Sequence, residues 1–266
     1  MVHIVNQHIM YILFLTIPSL LLIKYAILNK LFTIGVILYV LLQNSISFIT
    51  LSLFAKIKSL LVFIPLILYT FYDMFPNINI AGLLSYILAL NVAEPGILLG
   101  INSNEILSKI TGICLVIVAL FTPNLSLKNN IISYDNNHLW GLSYTILITT
   151  VYLFNDYFQD HSWKYAGVYS VIIPMLLSIL INDSRVFLPL RIYSLVLSYI
   201  IIIKYPEIHS NMSSYLNKKY KLTTDKYDKF KSVFVCICVI ITMCVIYQGT
   251  KNTIIDKFYN WIIQII

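Results

Sequence analysis

Apolar runs of about twenty residues follow one another along most of this chain, and twenty helical residues are what a hydrocarbon core of roughly 30 Å requires. The candidate spans are Ile9–Leu28, Leu31–Phe54, Ser59–Phe75, Ile78–Ile101, Ile106–Phe121, Leu139–Phe158, Tyr165–Ile181, Val186–Tyr205 and Lys231–Tyr247. So many runs in 266 residues exceed what the core of a soluble domain could bury. Composition agrees: 11% of residues are charged, against about 25% in soluble domains, and the mean hydropathy is +0.84. A transmembrane barrel would show strands of about ten residues with alternating polarity. Ile106–Phe121 and Val186–Tyr205 do not alternate. The expected fold class is therefore all-α, a polytopic transmembrane bundle of about nine helices. Residues 1–251 form its single domain. Residues 252–266 mix charged and amide side chains with Ile, Phe, Tyr and Trp261, a pattern that suits an amphipathic interfacial helix or a tail packed on the bundle.

The net charge of +7 does not point to nucleic acid, because seven of the 18 Lys and Arg residues fall between Lys204 and Lys231. Clustered like this, they suit anionic lipid headgroups and the positive-inside rule. Placing Pro206–Phe230 in the cytoplasm puts eleven basic residues on or near the inner side. Seven fall outside: Lys24, Lys30, Lys128, Arg185, Arg191, Lys251 and Lys257. Lys24 and Arg191 lie near helix ends and are expected to snorkel to the interface. The first apolar run lacks a basic leader and a small-residue cleavage site, so it reads as a retained helix. The setting this suggests is an inner (plasma) membrane, and the abundance of Ile, Asn, Lys and Tyr suggests an AT-rich genome.

Cys114, Cys236, Cys238 and Cys244 all lie in apolar runs, as packing residues do, and no metal or other cofactor is implied. His3, His8, His138 and His209 read as loop residues. Asp183 and Arg185 share a tight turn, where they pair with each other or with water. The pattern Ile64-Pro65 to Asp73 recurs as Ile173-Pro174 to Asp183, and Leu84-Ser85-Tyr86-Ile87 recurs as Leu197-Ser198-Tyr199-Ile200. A parallel duplication would produce that, as would chance in a chain rich in these residues.

Two segments carry polar residues that cost free energy in lipid. In Asn91-Val92-Ala93-Glu94-Pro95-Gly96, Glu94 is the only charge between Ile78 and Ile101. A carboxylate at membrane depth costs about 2.5–3.5 kcal/mol on insertion scales. Pro95 removes a backbone donor and disfavours helical geometry at Glu94, while Gly96 loosens the chain. Such a segment can open a helix beside a carboxylate, as in the ion and substrate sites of transporters. It can equally begin a helix at the water interface, with Glu94 as its cap. Gly96 and Gly100 also form a small-residue face suited to helix packing.

The second segment holds Asn155, Asp156 and Asp160, followed by His161. Asp156 and Asp160 are four residues apart and would share one helix face, where paired carboxylates can hold Mg²⁺ with a diphosphate. The pattern resembles the aspartate-rich motifs of intramembrane prenyltransferases, although the second acidic motif those enzymes need is not evident. A solvated helix end is the plainer account.

No GxxxxGK[ST], HExxH or GxSxG occurs, so P-loop, zinc-protease and serine-hydrolase chemistry lack their signatures. Three classes of function remain. The leading one is a small-solute or ion transporter or channel, with Asn91, Glu94, Pro95 and Gly96 at its site. The others are a membrane enzyme on a lipid or isoprenoid, using Asp156 and Asp160, and a non-catalytic assembly protein, with a homo-oligomer compatible with each.

Overall fold

A computed structural model describes residues 2–50, 53–75, 78–128, 131–134, 138–154, 161–204, 224–248 and 253. Among them are nine α-helices: α1 (Val2–Lys24), α2 (Ala26–Thr50), α3 (Leu53–Thr70), α4 (Ile80–Asn102), α5 (Ile106–Leu120), α6 (His138–Phe154), α7 (His161–Leu180), α8 (Phe187–Lys204) and α9 (Thr224–Gln248). Three stretches are long and apolar enough to cross a membrane: Ile80–Asn102, Ser184–Ile201 and Tyr227–Gln248. The described apolar parts of the other six helices run 10–17 residues. The chain is an all-α membrane protein.

Burial separates the inner helices from the outer ones. The Ser184–Ile201 stretch is 78% buried and Tyr227–Gln248 only 33%. α8 is accordingly the hub, packed on α1, α3 and α7 and apolar nearly all round, as a helix enclosed by others must be. Peripheral helices show the opposite arrangement. Val233, Ile237, Ile240 and Met243 of α9, like Ile9, Leu13, Ile17 and Leu20 of α1, lie exposed. Apolar faces of that extent are unfavourable in water and suit contact with acyl chains.

Local chemistry sets the helix ends. The Asn79 side chain accepts from the Gly82 N–H at 2.9 Å and starts α4. At the end of α7, Asn182 takes a left-handed φ of 53°. The Asn182 N–H donates to the Ile179 carbonyl and the Asp183 N–H to that of Ser178, which is the bonding of a Schellman cap with Asn at its left-handed position. Asp183 then accepts from the Arg185 backbone at 2.9 Å and grips its guanidinium through both carboxylate oxygens at 2.8 Å. This confirms the expected pair in the tight turn, which leads directly into α8.

Several boundaries differ from those expected. α1 and α2 meet at Tyr25, not near Asn29, and α1 begins at Val2, so His3 and His8 are helical. The Nδ1 of His8 lies 2.7 Å from the Tyr169 hydroxyl, and a tertiary contact of this kind leaves no mark in hydropathy. His138 opens α6. The break Thr122–His138 contains an antiparallel hairpin of β1 (Leu125–Lys128) and β2 (Ile131–Tyr134). Its first residue donates from the Leu125 N–H to Ser85 Oγ on α4 at 2.8 Å, and β2 packs on the turn before α8. Pro123 forms an antiparallel bridge with Thr253, whose carbonyl accepts from Asn124 Nδ2 at 3.2 Å. Apart from Thr253, residues 252–266 lie outside the described residues, as do residues 206–223 of the break Pro206–Phe230, whose remainder opens α9.

Ionic contacts identify the two ends of the bundle. Lys30 pairs with Asp73 at 2.9 Å at the end that carries the hairpin. At the other end Lys231 pairs with Glu105, and the same carboxylate oxygen accepts from Ser108 Oγ at 2.9 Å. The second ion pair joins the α4–α5 turn to α9.

Candidate functional site

The acidic segment of α4 does not open. The helix runs without interruption through Asn91, Glu94, Pro95 and Gly96. An interior proline forfeits one backbone bond and about 3 kcal/mol in a soluble helix, so the surroundings must hold the chain in place. They do so through Gly96. A Cβ built there would stand 2.6 Å from the Gly112 carbonyl oxygen, and one at Gly112 would stand 2.6 Å from that of Gly96. α4 and α5 therefore touch backbone to backbone, which small residues permit. Gly96 is a packing residue. Gly100 has open space where its Cβ would be, so only part of the expected small-residue face is used.

The four candidate residues of α4 separate by direction. Pro95 and Gly96 are buried against neighbouring helices. Glu94 is half-buried with its Oε1 enclosed. Asn91 lines a cavity of about 50 Å³ between α3, α4, α6 and α8. Asn155, Asp156 and Asp160 lie outside the described residues.

The cavity is where the sequence missed its most informative residue. Pro65 and Tyr69 of α3, Leu84 and Leu88 of α4, and Leu125 of the hairpin form part of its wall, and Arg191 of α8 and Tyr144 of α6 complete it. Arg191 does not snorkel; it is 7% exposed and turns inward. Its Nε and Nη2 donate to the Tyr144 hydroxyl at 3.3 and 3.2 Å. Its Nη1 donates to Ser170 of α7, at 2.6 Å to Oγ and 3.1 Å to the carbonyl. The guanidinium carbon also lies 5.9 Å from the centre of the Tyr144 ring, within cation–π range.

The partners of Arg191 are themselves held in place. Trp140 stacks on Tyr144 at 5.6 Å and Phe187 meets its edge at 6.5 Å. Trp140 Nε1 donates to the Val118 carbonyl at 3.1 Å, which ties the aromatic pair to α5. On the other side Ser194 Oγ donates to the Ser170 carbonyl at 2.8 Å. α7 approaches closely because Gly167 carries no side chain; a Cβ there would stand 2.5 Å from the Tyr152 ring. The site is thus a junction of three helices at which one buried cation lines the cavity.

A buried arginine is legible in sequence as a rare residue, but its direction is not. Arg191 falls five residues after Val186, the first residue of its expected span, where inward and interfacial placements look alike. Tyr144 and Ser170 are ordinary helix residues, and only the packing of α6, α7 and α8 makes them ligands. No protein-family model, curated protein or solved structure matches this chain.

Proposed function

We propose that this chain is a multi-pass bundle of nine spanning helices that binds a small polar solute inside the membrane and lets it pass. The observation that carries this reading is the cavity that Asn91 and Arg191 line together with Tyr69, Tyr144 and apolar side chains. Polar groups at membrane depth mark solute paths because their desolvation must be compensated by something that enters. Positive-inside bias supports an orientation with the Lys204–Lys231 side in the cytoplasm. Removing the inward-facing Arg191 from the seven outer basic residues leaves six against eleven. The cavity then occupies the outer half of the bundle, since its α4 wall, Leu84 to Asn91, begins about 6 Å from the hairpin end of that helix at 1.5 Å per residue. An inner (plasma) membrane remains the setting this orientation favours.

The test is flux through proteoliposomes holding purified protein, with a panel of inorganic ions and small metabolites inside and each followed on release. Release of at least one solute should exceed that from protein-free liposomes and fall in Asn91→Leu, which makes the floor of the cavity apolar. If no solute is released faster than from protein-free liposomes, transport is refuted.

A further inference from the structure

We infer that the cavity at Arg191 is a binding site for a compact oxyanion, a phosphate or carboxylate group, which supplies the negative charge that the described residues around this arginine lack. The inference rests on taking this cavity as the solute site, and it names the class of solute.

Charge is the first ground. The ion pairs among the described residues are Lys30–Asp73, Arg185–Asp183 and Lys231–Glu105. None includes Arg191, although its side chain is more deeply buried than either member of the Arg185–Asp183 pair. Its acceptors are a phenol, a hydroxyl and a carbonyl, all neutral. Neutral acceptors satisfy hydrogen bonds but do not offset the desolvation of a unit charge, and buried charges are as a rule paired. Arg191 also sits near the N-terminal end of α8, where the helix dipole disfavours a cation and favours an anion.

Geometry is the second ground. The guanidinium has five N–H groups, and four bonds account for Nε, both protons of Nη1 and one of Nη2. One Nη2 proton is left, on a residue that lines the cavity. The Tyr144 hydroxyl accepts twice from Arg191, and among the described residues its own proton has no acceptor. Tyr144 lines the same cavity. An oxyanion there would meet two fixed donors and a full positive charge, the setting in which arginine recognises carboxylate and phosphate. Volume is the third ground. About 50 Å³ is space for roughly three to five waters at 10–15 Å³ each, which admits a phosphate or carboxylate group.

A free ion and a lipid headgroup share this chemistry, and equilibrium binding distinguishes them. The thermal midpoint of the full chain in a non-ionic detergent is followed against inorganic phosphate and acetate, with chloride at matched ionic strength. A parallel series adds phosphatidylglycerol or phosphatidylcholine to the micelles. A saturable rise with phosphate or acetate above that with chloride supports the site with a free ion as its occupant. A rise with phosphatidylglycerol alone supports it with a headgroup as occupant. In either case Arg191→Met should abolish the rise. Arg191→Lys, which keeps the charge and is the second variant should Arg191→Met not fold, should weaken binding by about tenfold or more, as expected when charged hydrogen bonds are lost. A wild-type midpoint indifferent to all four additives overturns the inference, and so does a rise of equal size in the folded Arg191 variants. Binding without flux would refute transport and leave the anion site intact; flux without anion binding would do the reverse.

Discussion

Gly96→Ala adds one methyl group to the backbone-to-backbone contact of α4 with α5 and should destabilise the protein, whereas Gly100→Ala, one turn away, should not. The new Cβ at position 96 would stand 2.6 Å from the Gly112 carbonyl oxygen, 2.9 Å from Leu115 Cβ and 3.2 Å from Val116 Cγ2. The first neighbour is backbone, so no rotamer change relieves it, and α4 and α5 must separate by several tenths of an ångström. Overpacking of this kind costs about 1–3 kcal/mol. At Gly100 a Cβ meets nothing within 4 Å. There the helix preference for Ala over Gly, about 0.8–1.0 kcal/mol in water, is the only sizeable effect and it stabilises. Gly96→Ala gains the same helix preference, so the two variants should differ by the overpacking cost alone, about 1–3 kcal/mol. Gly112→Ala should resemble Gly96→Ala. The double variant should cost less than the sum, because the first methyl already parts the helices. Unfolding in mixed micelles with increasing denaturing detergent, followed by circular dichroism, gives the comparison. Equal midpoints for Gly96→Ala and Gly100→Ala would refute the backbone contact.

Lys231→Met should cost about 1–2 kcal/mol, less than a fully buried pair would, because Glu105 is 46% exposed and keeps its hydration; thermal unfolding of the variant measures it. Arg185 holds the Asp183 carboxyl below its usual range, chiefly through the hydrogen bond to its guanidinium. The stability from this pair is therefore complete above the unfolded value of about 3.9 and is lost as pH falls through the lower folded value. Arg185→Ala should accordingly flatten that acid limb in a pH series of thermal midpoints, and an unchanged limb would exclude the pair as its source. Cys236 and Cys244 are exposed, whereas Cys114 and Cys238 are buried. A lipid-soluble maleimide on the folded protein should label the first two and reach the others only after denaturation, as mass spectrometry of digested protein would show.

How much of this was legible beforehand depends on what hydropathy encodes. Apolar runs locate helices because lipid and protein interior both reward them, and all nine expected segments contain one. Direction is another matter. Lipid tails are as apolar as leucine, so a membrane helix lacks the polar stripe that marks the outer face of a soluble one. That is why Asn91 could be singled out but not aimed, and why Arg191 and Glu94 could not be told apart as cavity-lining and otherwise. The Gly96 contact was legible as a small-residue face, and the use of Gly96 but not Gly100 required the position of α5. Pro95 signalled an opening that packing prevents. The β1–β2 hairpin lies in a polar break with short strands, and the Leu125–Ser85 bond that anchors it joins residues forty positions apart.

Water access to the cavity tests the central claim most directly. In a variant without the four native cysteines, Asn91→Cys and Ile113→Cys can each be reacted with a membrane-impermeant maleimide in sealed proteoliposomes. Ile113 is 59% exposed on the apolar surface of α5 and should meet acyl chains, where no water-borne reagent arrives. Faster reaction at Asn91→Cys than at Ile113→Cys, slowed by the anion that binds, is the predicted result. Equal reaction at both positions, or none at Asn91→Cys, would contradict a solvated polar cavity within the membrane.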